Sequence, residues 1–131
     1  MKILIVEDEA VAARRLERLT RAVKPDKSLE FTRAHSLDTA TSALTSQSFD
    51  LIFLDLNLAG EDGFALLDQE LGAARIIVVS AFPDRAIEAF GHAVLDFVPK
   101  PVNEGRLARA LDRVDYAENT PLNISSSAIQ A

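Results

Sequence analysis

Three short apolar runs in this chain end abruptly in acidic or hydroxyl side chains, and a fourth leads into a lysine. Ile3-Leu4-Ile5-Val6 meets Glu7-Asp8, Leu51-Ile52-Phe53-Leu54 meets Asp55, and Ile76-Ile77-Val78-Val79 meets Ser80. Leu95-Asp96-Phe97-Val98-Pro99 then delivers Lys100-Pro101. A β-rich run without polar alternation reads as a strand buried on both faces, and such strands belong to parallel sheets covered by helices. The carboxyl ends of parallel strands share one edge, where such folds bind ligands. Four segments therefore aim three acids, a hydroxyl and an ammonium at one place.

Helical patterns fill the gaps. Ala12, Leu16, Leu19 and Val23 share one face of a first helix that Pro25 closes, with Arg14, Arg15, Arg18 and Arg21 mostly off that face. Leu29 to Arg33 alternates, as an edge strand does. Ser36 suits the N-cap of a second helix carrying Leu37, Ala40, Ala43 and Leu44. Phe64 to Leu71 reads as a third helix. Pro83 can start a fourth, bearing Ala86, Ala89 and Phe90. Asn103 caps a fifth with Leu107, Leu111 and Val114 as its stripe. The order is βαβαβαβαβα, and right-handed crossovers favour a flavodoxin-like, doubly wound α/β sheet of five parallel strands in the order 2-1-3-4-5 with five helices. Residues 1–117 form this domain; from about Glu118 the periodicity stops, and residues 118–131 read as a flexible tail or the start of a linker.

Composition narrows the function. The 131 residues suit one domain, and an apolar content of 48% is that of a globular chain. With no cysteine, thiolate metal sites, disulfides and Cys nucleophiles are excluded. A formal charge of −6 argues against non-specific nucleic-acid binding by this segment. The apolar stretch after Lys2 is shorter than the roughly 7–15 residues of a secretory core, and no run approaches the ~20 of a membrane span. The expectation is a soluble cytoplasmic protein.

Glu7, Asp8 and Asp55 would repel one another unless a cation relieved them, and Mg²⁺ suits an all-oxygen site. A carboxylate such as Asp55 can also attack a phosphoryl group. The backbone carbonyl of Asn57 can complete a metal shell, and Gly60 and Gly63 permit a tight turn and close approach. The Lys100–Pro101 bond can be cis, which would turn Lys100 toward the acids. Ser80 can bond a phosphoryl oxygen. His35 and His92 lack companions at metal-ligand spacing and read as surface or packing residues; Phe82 and Phe97 read as core.

Val6-Glu7-Asp8-Glu9, Leu54-Asp55 with Gly63 eight residues on, Val79-Ser80-Ala81 and Val98-Pro99-Lys100-Pro101 resemble the motifs of response-regulator receiver domains of two-component signalling. The likeness covers residues 1 to about 117. It implies Asp55 as phosphoacceptor, with Glu7, Asp8, Asp55 and the Asn57 carbonyl around Mg²⁺. Lys100 would hold the phosphoryl group, Ser80 would be the switch hydroxyl and Phe97 the switch aromatic. Ala86 to Phe90 and Leu95 to Val102 are similar to receivers that precede LytTR-type output domains. Ala59 stands where many receivers carry proline, and Glu7 where aspartate is frequent, its extra methylene favouring an outer-sphere role.

The implied partners are a histidine kinase or histidine phosphotransfer protein, and an output domain C-terminal to this segment. A phosphorylation-dependent homodimer would use the fourth helix, strand five and the fifth helix, through Arg85, Glu88, Asp96, Arg106, Arg109 and Arg113. A haloacid-dehalogenase-like phosphatase shares the Asp, Lys and Mg²⁺ chemistry, but it needs a second acid where Asn57 stands. A flavodoxin-like FMN module would meet repulsion from Glu7-Asp8-Glu9, and a degenerate receiver used only for binding would have no need of the reactive set.

Overall fold

The computed structural model describes residues 1–26 and 28–119. Five parallel strands form the central sheet: β1 (Lys2–Val6), β2 (Glu30–Ala34), β3 (Leu51–Leu54), β4 (Arg75–Ser80) and β5 (Asp96–Pro99), in the order β2-β1-β3-β4-β5. This is the expected doubly wound topology. Alternate residues of the buried strands face opposite layers. Leu4, Val6, Ile52, Leu54 and Val78 pack toward α2 (Leu37–Ser46) and α3 (Ala86–Gly91). Ile3, Ile5, Phe53, Ile77 and Val79 pack toward α1 (Ala10–Val23) and α4 (Glu104–Asn119). Every residue of β3 is buried, which explains why it carries no polar alternation.

The caps behave as the sequence suggests. Ser36 Oγ accepts the Thr39 N–H in a reciprocal capping box, and Asn103 Oδ1 accepts the Arg106 N–H at the start of α4. Pro83 opens a 3₁₀ turn, Pro83–Arg85, that runs into α3, the fourth helical segment of the chain.

Several details differ from the pattern read off the sequence. The third helical segment is a 3₁₀ helix over Gly63–Asp68 rather than one reaching Leu71. Asp62 caps it through the Phe64 N–H, and Gly72 follows in the left-handed region at φ 64°. The buried face of α1 is Ala13, Leu16 and Thr20, turned slightly from the expected stripe, with Leu19 and Val23 only partly covered. Thr20 tolerates full burial because its hydroxyl donates to the Leu16 carbonyl at 2.7 Å. Phe82 and Phe90 are 45% and 51% exposed, so neither is a core residue. Of the expected tail, residues 120–131 lie outside the described residues, while α4 itself continues to Asn119.

Between β3 and the 3₁₀ helix, Asn57–Leu58 and Glu61–Asp62 pair as a small antiparallel hairpin. Its two-residue turn places Ala59 and Gly60 at φ 52° and 92°, the left-handed values that such tight turns demand. A Cβ on Gly63 would fall 2.1 Å from the Asp55 carbonyl oxygen, so only glycine lets the hairpin fold back against the end of β3.

Candidate functional site

Strand pairing assembles the acids. Val6 of β1 lies opposite Leu54 of β3, so Glu7 and Asp55 each follow one of a paired couple. The backbone tightens this: Asp55 N–H donates to the Val6 carbonyl and Glu7 N–H to Ala34, both at 3.0 Å. On the far side, Lys100 N–H donates to the Ser80 carbonyl at 2.8 Å. The Lys100–Pro101 peptide is cis, and the lysine side chain crosses the sheet edge toward the acids.

There Lys100 Nζ donates to Glu7 Oε1 at 2.5 Å and to Asp55 Oδ2 at 3.0 Å. The remaining oxygens of both acids are also engaged: Glu7 Oε2 accepts the Glu9 N–H and Asp55 Oδ1 accepts the Asn57 N–H, each at 3.1 Å. Glu7 and Asp55 are only 4% and 7% exposed. Burial, with help from the negative charge of Asp55, pushes Glu7 up to about 7 against the bonds from Lys100 and Glu9 that favour its ionised form. Burial pulls the Lys100 ammonium down, but its bonds to Glu7 and Asp55 more than offset this and leave it above the usual lysine value.

Asp8 differs from its neighbours. It is half-buried, and among the described residues its carboxylate accepts no hydrogen bond. Oxygens of Glu7, Asp8 and Asp55 lie within 4.8 Å of one another. Three carboxylates this close, only two of them bonded to Lys100, form a hard-oxygen donor set that fits a divalent cation such as Mg²⁺. Asp8 has its oxygens free and Asp55 keeps unused lone pairs, whereas Glu7 is already committed to Lys100.

A cleft of about 240 Å³ opens above these groups, walled by Asp8, Asp55, Asn57, Gly60, Phe82 and Lys100 among others. Ser80 lies at the end of β4 beside it but is fully enclosed, its Oγ accepting the Phe82 N–H at 3.0 Å. Phe97 is buried in the core on the α3 side of the sheet. The Asn57 side chain faces the hairpin turn, where its Oδ1 accepts the Gly60 N–H at 3.3 Å. His35 and His92 are both exposed, and His92 stacks on Phe64 with ring centroids 4.9 Å apart.

Sequence reasoning missed the contacts of four arginines. Arg33 donates to the carbonyls of Glu7 and Asp8 at 3.1 and 2.7 Å. Arg85 pairs with Asp62 at 3.0 Å and with Glu88 at 3.2 Å, its guanidinium 4.5 Å from the centre of the Phe64 ring. Asp96, placed on the exposed face by its charge, is instead buried. It is held by Arg106 at 2.9 and 2.6 Å and by Arg113 at 3.4 Å. An acid inside an apolar run was the available signal, because such a carboxylate needs a cation and α4 offers Arg106 at its first turns.

Comparison with known proteins bears on the whole arrangement. The family model described as the response regulator receiver domain matches residues 3–112. The sensory transduction protein LytR of Streptococcus mutans is 33% identical over 117 residues, covering 87% of this chain and 48% of that protein. LytT of Bacillus subtilis is 30% identical over 116 residues, covering 86% of this chain and 47% of that protein. The chain thus spans about half the length of the curated relatives it matches. Among solved structures, the response regulatory domain of protein mrkE from Klebsiella pneumoniae superposes with a TM-score of 0.76 at 28% identity. That match covers 89% of this chain and 97% of the other. A CheY-like receiver domain from Methylobacillus flagellatus shares the fold, with a TM-score of 0.74 at 23% identity over 87% of this chain and 98% of its own.

Proposed function

The chain belongs to the response regulator receiver domain family, and from that premise we propose that residues 1–117 accept a phosphoryl group on Asp55 from a histidine kinase or histidine phosphotransfer protein. The carrying observation is the single ammonium of Lys100 spanning Glu7 and Asp55 beneath an open cleft. In the reaction a carboxylate oxygen of Asp55 attacks phosphorus, the phosphorus–nitrogen bond of the phosphohistidine breaks, and the imidazole leaves with the electron pair, taking up a proton. An acyl phosphate results. Because the protein has little covalent chemistry to perform, its work is positioning and charge stabilisation.

Asp55 is oriented by the Asn57 N–H and by Lys100, whose ammonium can follow a phosphoryl oxygen as the acid's charge is consumed. Asp8 and Asp55 would hold Mg²⁺, with the Asn57 carbonyl beside them and Glu7 one shell out. When bound, the ion would screen the acids and the charge of the transferring group. Ser80 would exchange its bond to the Phe82 N–H for one to the phosphoryl group, and Phe97 would move with it. The altered surface is α3, β5 and α4, used for a homodimer or for an output domain of LytTR type in the rest of a cytoplasmic regulator. Buried Asp96 is withdrawn from that contact face. The phosphatase reading is weaker, because the amide of Asn57 occupies the position of the required acid.

Incubated with Mg²⁺ and acetyl phosphate, the protein gains one acid-stable, base-labile phosphoryl group by intact mass, and Asp55→Asn gains none. Undiminished labelling of that variant would defeat the assignment.

A further inference from the structure

We propose that Arg33 is a positioning residue for the acid pair, fixing Asp8 toward the cation site by clasping the backbone on either side of it. The inference rests on the Mg²⁺ reading above and adds to it. Arg33 stands on the edge strand β2, opposite Ile5 of β1. Its Nε donates to the Glu7 carbonyl at 3.1 Å and its Nη2 to the Asp8 carbonyl at 2.7 Å.

One planar fork on two successive carbonyls fixes the two peptide planes that flank the Asp8 Cα, and with them the direction in which the Asp8 side chain leaves the backbone. Glu7 hardly needs this help, since both of its oxygens are bonded. Asp8 does: among the described residues its carboxylate has no hydrogen-bond partner, so no polar contact of its own holds it in place. Supporting groups one step behind a metal ligand commonly control its affinity in this way.

The guanidinium also places a positive charge beside the acids, which by itself opposes a cation. Geometry and charge therefore act with opposite signs, and variants separate them. If the fork positions Asp8, losing it weakens Mg²⁺ binding although a repelling charge has gone. If Arg33 acts only through charge, the same loss tightens binding.

The test is calorimetric titration of Mg²⁺ into wild type, Arg33→Ala and Arg33→Lys at fixed pH and ionic strength, with phosphorylation by acetyl phosphate followed against Mg²⁺ concentration. Arg33→Ala is expected to bind Mg²⁺ roughly 10-fold more weakly. Arg33→Lys, which keeps the charge but cannot span both carbonyls, stays weakened by at least about threefold. Half-saturating Mg²⁺ for phosphorylation rises by the same factors, while the rate at saturating Mg²⁺ and the metal-free melting temperature stay close to wild type. Unchanged or tighter binding in Arg33→Ala, or full affinity in Arg33→Lys, overturns the proposal. A wild type that binds no Mg²⁺ overturns the site reading on which it rests.

Discussion

Two buried ionic clusters in this molecule are opposites. At Asp96, one carboxylate faces two guanidinium groups, those of Arg106 and Arg113. Burial raises the Asp96 pKa, but the bonds from Arg106 and from the Phe97 N–H overcome it and hold the acid below its ordinary value. At the sheet edge, three carboxylates crowd together while the one ammonium reaches only Glu7 and Asp55, and Glu7 is pushed up to about 7. The first cluster is supplied with positive charge and ties β5 to α4. The second is short of it and lies beneath an open cleft. Like chemistry thus ties two elements together in one place and leaves a charge deficit at the sheet edge in the other, and charge balance separates the two.

The largest effect should come from breaking the balanced cluster. Asp96→Ala leaves Arg106 without its buried partner, and losing one member of such a pair costs about 3 kcal/mol. Urea unfolding should register that loss while phosphorylation of the folded protein by acetyl phosphate persists. A loss of stability too small to measure would mean that the cluster is ornamental.

The pH dependence sharpens the contrast, because the two clusters have opposite signs. Glu7 releases its proton near 4.5 when unfolded and near 7 when folded. Between those values the unfolded chain binds fewer protons, so metal-free stability falls as pH rises and levels off above pH 7. Relative to Glu7→Gln, the wild type should lose about 2–3 kcal/mol across that window. Asp96 acts the other way: its contribution is present above about 3.8, the ordinary value, and is lost as pH falls through its lower folded value. A wild-type curve parallel to that of Glu7→Gln from pH 5 to 8 would remove the strain assigned to the edge cluster.

The smallest effect concerns the outer surface beyond Asp96. Arg113 serves the buried pair, whereas Arg109 is exposed and free of ion pairs among the described residues. Arg109→Glu should therefore leave stability alone and weaken a beryllofluoride-induced dimer a few-fold, as expected of an exposed charge contact. Sedimentation velocity reads the shift. An activated wild type that remains monomeric at high micromolar concentration would discard the dimer.

What was legible in the sequence follows from what each pattern reports. The gathering of Glu7, Asp8 and Asp55 follows from uninterrupted apolar runs, because a strand buried on both faces leaves no freedom about where its polar end emerges. Strand order follows from crossover handedness, and Lys100 ends a run that Asp96 interrupts. Phe90 misled because hydrophobicity says nothing of direction on a helix of six residues, where one buried position, Ala89, suffices, whereas Phe82 precedes that helix and lines the cleft instead of the core. The truncated 3₁₀ helix was invisible because Phe64, Leu66 and Leu67 satisfy either period over so short a segment. Charge alone would place Asp96 on the surface, whereas its bonds to Arg106 let it be buried. Arg33 had no local signal, since its partners are backbone carbonyls 25 and 26 residues away.

The claim that the edge cluster lacks one cation is met most directly by thermal melts of wild type and Asp8→Ala with and without Mg²⁺. Mg²⁺ binding to the native state should raise the wild-type melting temperature by mass action. Asp8→Ala should fold, melt at or above the metal-free wild type because one crowded like charge is gone, and gain nothing from the ion. An equal Mg²⁺ shift in both proteins would contradict the account.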